Sequence, residues 1–198
     1  YGIARTEGTL LYLTEDATLS DGLLFATSSE STEAVAQRLL EADTIVVPAG
    51  KTLTIPATGL TLPVTLLQGA GTVVFDGYWP NATIQGQLKA NTWTGMAWLK
   101  NFELGGQSFT DFGSKVQLTN VDGWMPNGVQ DVTVSLKDEN GKAGFTLNDA
   151  SPWDNGYRYG FTKIIGDGTL ASSTLDMDDH RVVTALIVND VSEFNGKL

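Results

Sequence analysis

Apolar and polar residues alternate with period two over much of this chain. Thr52-Leu53-Thr54-Ile55, Val132-Thr133-Val134-Ser135-Leu136-Lys137 and Phe145-Thr146-Leu147 each place every second side chain on one face, the pattern of a half-buried strand. Thr72-Val73-Val74-Phe75 and residues 182–188 are near-continuous apolar runs, which suit strands covered on both faces. Thr44-Ile45-Val46-Val47-Pro48 begins another strand, and residues 1–27 read as short strands broken at Gly8 and Asp21-Gly22. Roughly twelve strands result, at the spacing of sandwiches, barrels or solenoids. One helix interrupts them. Ser28-Ser29-Glu30-Ser31-Thr32-Glu33 supplies N-cap candidates and first-turn acids, and Val35, Ala36, Leu39 and Leu40 form its apolar stripe.

Asn140-Gly141 is the favoured pair for a two-residue hairpin turn. Placed there, the turn sets Glu139 opposite Lys142, Leu136 opposite Phe145 and Val134 opposite Leu147, with the apolar pairs on one face. An antiparallel hairpin over 132–147 is therefore expected.

Leu67-Gln68-Gly69-Ala70-Gly71-Thr72-Val73 returns 97 residues later as Ile164-Ile165-Gly166-Asp167-Gly168-Thr169-Leu170. Each copy is followed by an aromatic-x-Gly step, Trp93-Thr94-Gly95 and Phe194-Asn195-Gly196. The repeated positions carry no reactive side chain, so the repeat describes backbone and packing.

The fold class expected from these patterns is all-β: a β-solenoid of parallel β-helix type, or stacked β-modules, with one short N-terminal capping helix. A β-sandwich is the alternative. With 198 residues, 41% of them apolar, the chain can bury a core as a single elongated domain over 1–198, with a subdivision into 1–125 and 126–198 in view.

A net charge of −11 with only 12 Lys and Arg repels phosphate backbones and anionic lipid, so neither nucleic acid nor a membrane surface is an expected partner. No apolar run reaches the ~20 residues that cross a bilayer as a helix. Cysteine is absent, which excludes disulfides, thiolate catalysis and Cys-based zinc sites. Low charge content with 22 glycines and abundant Ser and Thr suits an exported β-protein, and a chain beginning at Tyr1 reads as a mature or trimmed product. The expected location is extracellular or at the cell surface.

Two stretches resemble known families. Residues 41–55, preceded by the helix, resemble the amino-terminal entry of right-handed parallel β-helix proteins of the pectate-lyase-like type. In those proteins a short helix caps the open end of the solenoid. The Gly-x-Gly-Thr segments followed by Asn91-Thr92-Trp93-Thr94-Gly95 and Glu193-Phe194-Asn195-Gly196 look like the autotransporter-associated β-strand repeats of large bacterial surface proteins.

Candidate chemistry is sparse. Asp176-Met177-Asp178-Asp179-His180-Arg181 gathers the only histidine beside three carboxylates. Acid pairs with His and Arg serve β-helix polygalacturonases, but there they come from successive coils. In one contiguous strand at most Asp176, Asp178 and His180 share a face. The bland reading, an acidic turn before a strand, is preferred, and no catalytic residue is assigned. Hard oxygen ligands in the loop Asp149, Asp154 and Asn155 are the candidate set for a structural calcium, although Asp and Asn are also ordinary turn residues. No other cofactor is expected. Trp79, Trp153, Tyr157 and Tyr159 are the candidate stacking platforms for a glycan, since exposed aromatics give large contact area with little entropy loss. Trp98 lies in an apolar stretch and is expected in the core.

The expectation is thus a non-catalytic structural or adhesive protein, a surface-protein segment or fibre-forming subunit, self-associating through strand edges near residues 9–13 and 192–198. A carbohydrate-binding module is the alternative. Less favoured is a polysaccharide-cleaving β-helix enzyme, which needs carboxylates from separate strands brought together.

Overall fold

The structure is a computed structural model that describes residues 10–18, 44–56, 67–77, 93–139, 141, 143–147, 158–172 and 185–198. The strands it describes are β1 (Leu10–Tyr12), β2 (Ala17–Thr18), β3 (Thr44–Val47), β4 (Thr52–Pro56), β5 (Leu67–Gly69), β6 (Thr72–Asp76), β7 (Met96–Gly105), β8 (Lys115–Trp124), β9 (Gly128–Leu136), β10 (Phe145–Leu147), β11 (Arg158–Gly166), β12 (Leu170–Ser172) and β13 (Ala185–Phe194). The predicted strands at 44–48, 52–55, 72–75, 132–137 and 145–147 fall on β3, β4, β6, β9 and β10. The predicted helix lies outside the described residues.

Every ladder among the described residues is parallel. The large sheet runs β13-β11-β9-β8-β7-β6-β4-β2, with β10 beside β8 and β12; a smaller sheet runs β1-β3-β5. Strand order therefore follows sequence order. Parallel neighbours in register set equivalent residues in columns. The column Leu53, Val73, Ala97, Val116, Val134 and Ile164 is in register and buried throughout. A second column, Phe102, Val121, Phe145 and Leu170, is likewise buried. Both belong to one core cluster with Val47 and Leu67 of the smaller sheet. Burial in columns explains the period-two pattern, and β-branched and aromatic residues fit such pleated, covered surfaces.

β7 and β8 each turn a corner in mid-strand. Asn101 and Asn120 sit there at φ 51° and 52°, a left-handed region that Asn tolerates better than most residues. Their side chains stack: the Asn120 Nδ2 donates to Asn101 Oδ1 at 2.8 Å, and Asn101 Nδ2 to Asp76 Oδ1 at 2.9 Å. In the next layer Lys137 N–H donates to Leu118 O and Asn120 N–H to Ala143 O, on either side of a turn at Gly141.

This geometry corrects the expected hairpin. Gly141 does occupy a turn, at φ 75°, but the strands on either side run along β8 in the same direction. Leu136 lies opposite Leu118, and Phe145 opposite Val121. Val134 pairs with Val116 and Ile164 rather than Leu147. Glu139 pairs with Lys100 and Lys137, and Lys142, expected opposite it, lies outside the described residues. The Asn-Gly pair encodes a positive φ, and a corner between parallel segments uses that φ as readily as a hairpin does. Leu136 and Phe145 still share the core, so apolar alternation alone could not separate the two arrangements.

The repeated segment also resolves into a corner. Gly69 (φ 95°) and Gly166 (φ 99°) hold the same conformation, and a Cβ on either would sit 2.2 or 2.3 Å from a carbonyl oxygen of the layer below. Each aromatic-x-Gly step lies on its Gly-x-Gly one layer later. Thr94 N–H donates to Gly69 O at 2.8 Å, and Asn195 N–H to Gly166 O at 2.8 Å. A Cβ on Gly95 or Gly196 would meet Gly71 O at 1.8 Å or Gly168 O at 2.0 Å. The first copy precedes β6 and the second follows β11, so the repeat marks one corner design used at opposite ends of the sheet's strands.

A 3-10 helix, Phe109–Phe112, was not legible in the sequence, because four residues leave no periodic signal. Ser108 caps it, its Oγ accepting from Thr110 N–H at 3.3 Å. The helix buries Phe109 and Phe112. Phe112 meets Phe75 and Phe102 edge-on at 6.1 and 5.9 Å, and Phe109 meets Phe145 at 5.4 Å. Such pairs contribute about 0.5–1.5 kcal/mol each beyond their burial.

Candidate functional site: an outward groove

Tyr159 is fully buried in the core, because its position on β11 points inward beside Phe161. It is not a surface platform. Trp79, Trp153, Tyr157, Asp149, Asp154 and Asn155 lie outside the described residues, as does His180. Trp98, expected in the core, faces outward instead. It sits half-buried between the buried Ala97 and Leu99, with the Lys137 and Lys100 ammonium groups 4.8 and 5.6 Å from its ring centroid. Its indole N–H donates to Thr119 Oγ1 at 2.9 Å. Glu139 bridges the two lysines, 3.2 Å from Lys100 and 3.3 Å from Lys137, and those bonds hold its carboxyl below the ordinary range.

Further along the same outward face is a groove of about 300 Å³. Two columns build it. Lys115, Thr133 and Lys163 are in register on β8, β9 and β11, and Ser135, Ile165 and Glu193 on β9, β11 and β13. Neighbouring strands are about 4.8 Å apart, so each column is a row of side chains held at fixed spacing. Met96 adds to the lining. One edge is an ion network: the Lys163 ammonium contacts Asp190 at 3.2 Å and donates to Glu193. Those bonds, Glu193 first and then Asp190, raise the Lys163 pKa. Asp190 is lowered to about 2, first by the Ser192 hydroxyl and amide, at 2.7 and 2.9 Å, and then by Lys163. That bonding fixes the bulge at which β13 departs from the β11 register. Among the described residues, no bond engages the Lys115 ammonium or the Thr133 and Ser135 hydroxyls.

One pair of carboxylates from successive strands does come together. Glu103 on β7 lies opposite Asp122 on β8. Burial, then Glu103, raises the Asp122 pKa. Among the described residues no third acid or histidine joins them as a metal-binding group.

The groove was not visible in the sequence. Alternation marks Thr133 and Ser135 as outward, but which outward residues of other strands stand beside them depends on register. Comparison with known protein families, curated proteins and solved structures finds no match to this chain.

Proposed function

We propose that the chain is a non-catalytic structural and adhesive protein of the cell surface, built as a β-solenoid of parallel β-helix type. The observation that carries this reading is the coincidence of strand order with sequence order, all in parallel, around one core. Sandwiches instead pack antiparallel sheets with Greek-key connections. A structure of stacked layers grows by repetition and leaves an open strand at its end, a geometry suited to extension and to contact with further β-structure. Among the described residues β13 is an edge strand of the large sheet, with Leu186 37% and Val191 53% exposed. Head-to-tail association through such ends would build fibres.

Negative-stain microscopy with an assay on pectin and other polysaccharides tests the reading. Rods or filaments without depolymerisation are expected. Globular particles would contradict the solenoid, and depolymerisation would contradict the non-catalytic role.

A further inference from the structure

We propose that the groove between Lys115 and Glu193 is a binding subsite for an uncharged, hydroxyl-rich ring, one residue of a neutral glycan. This goes beyond the scaffold role, which does not depend on any ligand. The Lys115 ammonium donates, the Thr133 and Ser135 hydroxyls donate and accept, and the Glu193 carboxylate accepts. The first three have no partner among the described residues. A ligand that presents both donors and acceptors over a small area satisfies them together, as a sugar ring does.

Charge narrows the class. Lys115 and Lys163 are balanced at the groove by Asp190 and Glu193, and Lys163 is already committed to both acids. A polyanion would meet the two carboxylates and a polycation the two ammonium groups, so a charged ligand would be desolvated without net attraction. A neutral ring avoids that cost. Met96 and Ile165 supply apolar contact for its C–H face.

Geometry supplies the rest. The groove's volume lies at the lower end of small-ligand sites and suits a single ring. Thr133 and Ser135 are two residues apart on one strand, which sets their Cα atoms about 6.6 Å apart and their side chains on the same face. Both stand on strands rather than loops, so little ordering remains for binding to impose.

The test is NMR titration of the whole chain with cellotetraose, maltotetraose and mannotetraose, beside tetragalacturonate as the charged counterpart. At least one neutral tetrasaccharide should shift the amides of residues 115, 133–135, 163–165 and 193, and tetragalacturonate should shift them less. Ser135→Ala and Lys115→Gln, both outward changes that leave the core untouched, should each weaken binding severalfold and together at least tenfold. The proposal is overturned if no neutral tetrasaccharide perturbs these amides, if tetragalacturonate binds equally well, or if the double variant binds like the native chain. None of these outcomes depends on filaments, so microscopy decides the scaffold reading separately.

Discussion

The two copies of the Gly-x-Gly corner share a backbone and differ in what lies above them. In the first, Trp93 rests on Gly69 and Gly71, is 5% exposed, and its indole N–H donates to Gly71 O at 3.1 Å. In the second, Phe194 rests on Gly166 in the same way, but it stands on the last layer described and is only partly buried. Sequence similarity between the copies thus reports the corner's shape, while stability comes from the layer that follows. Equal motifs should have unequal energetic weight.

The largest contrast is expected at the aromatics. Trp93→Ala removes a buried ring and its hydrogen bond and should cost about 3–5 kcal/mol by denaturant unfolding. Phe194→Ala should cost about 1 kcal/mol, because its site is half open. Equal losses would break the comparison.

A similar contrast is expected at the seating glycines. Gly95→Ala forces a Cβ against Gly71 O inside a covered corner and should cost about 2–3 kcal/mol. Gly196→Ala meets Gly168 O just as closely, but in a corner that is only partly buried and so gives way more easily, and its cost should be well under half as large. If the two glycines cost the same, the second corner is as rigid as the first.

The asparagine corners sharpen the point on a smaller scale. Asn120→Ala puts alanine at φ 52° and removes the bond to Asn101, an expected loss of about 1–2 kcal/mol. Asn120→Gly should recover part of it, since glycine adopts that φ freely. A glycine variant as damaged as the alanine one would assign the effect to the side-chain ladder rather than to the backbone.

The smallest expected effects are electrostatic and opposite in sign. Asp122, on β8 opposite Glu103, has a raised pKa, so its folded form holds the proton more tightly than the unfolded chain does. Its favourable contribution is complete below the ordinary value near 3.8 and is lost as pH rises through the folded pKa. Asp190, on β13, is lowered to about 2. Its contribution is present above 3.8 and is lost as pH falls towards 2. Unfolding curves of Asp122→Asn and Asp190→Asn between pH 2 and 6 should diverge from the native chain in these opposite senses. Parallel shifts of both variants would contradict the assignment.

Much of the fold was legible because burial in columns writes itself into each strand. The apolar positions of residues 52–55, 72–75 and 145–147 identified real strands, and Leu136 and Phe145 were rightly placed on one core. Partner choice was not legible. The same alternation fits an antiparallel hairpin and two parallel segments on β8, and only a strand that bends at Asn120 distinguishes them. Trp98 shows the limit for single residues: its apolar neighbours suggested the core, but its position on β7 is one step out of phase with the buried Ala97 and Leu99. The groove is less legible still, since it exists only where five strands come into register.

Amide hydrogen exchange tests the account most directly. Thr94 and Met96 donate to Gly69 O and Gly71 O at 2.8 and 3.3 Å, and Asn195 and Lys197 donate to Gly166 O and Gly168 O at 2.8 and 3.0 Å. Judged by those bonds alone, the two pairs should exchange alike. Thr94 and Met96, beside the buried Trp93, are expected to exchange only through global unfolding, whereas Asn195 and Lys197, beside the partly buried Phe194, exchange far faster through local opening. Equal protection of the two pairs in dilute, monomeric protein would contradict it.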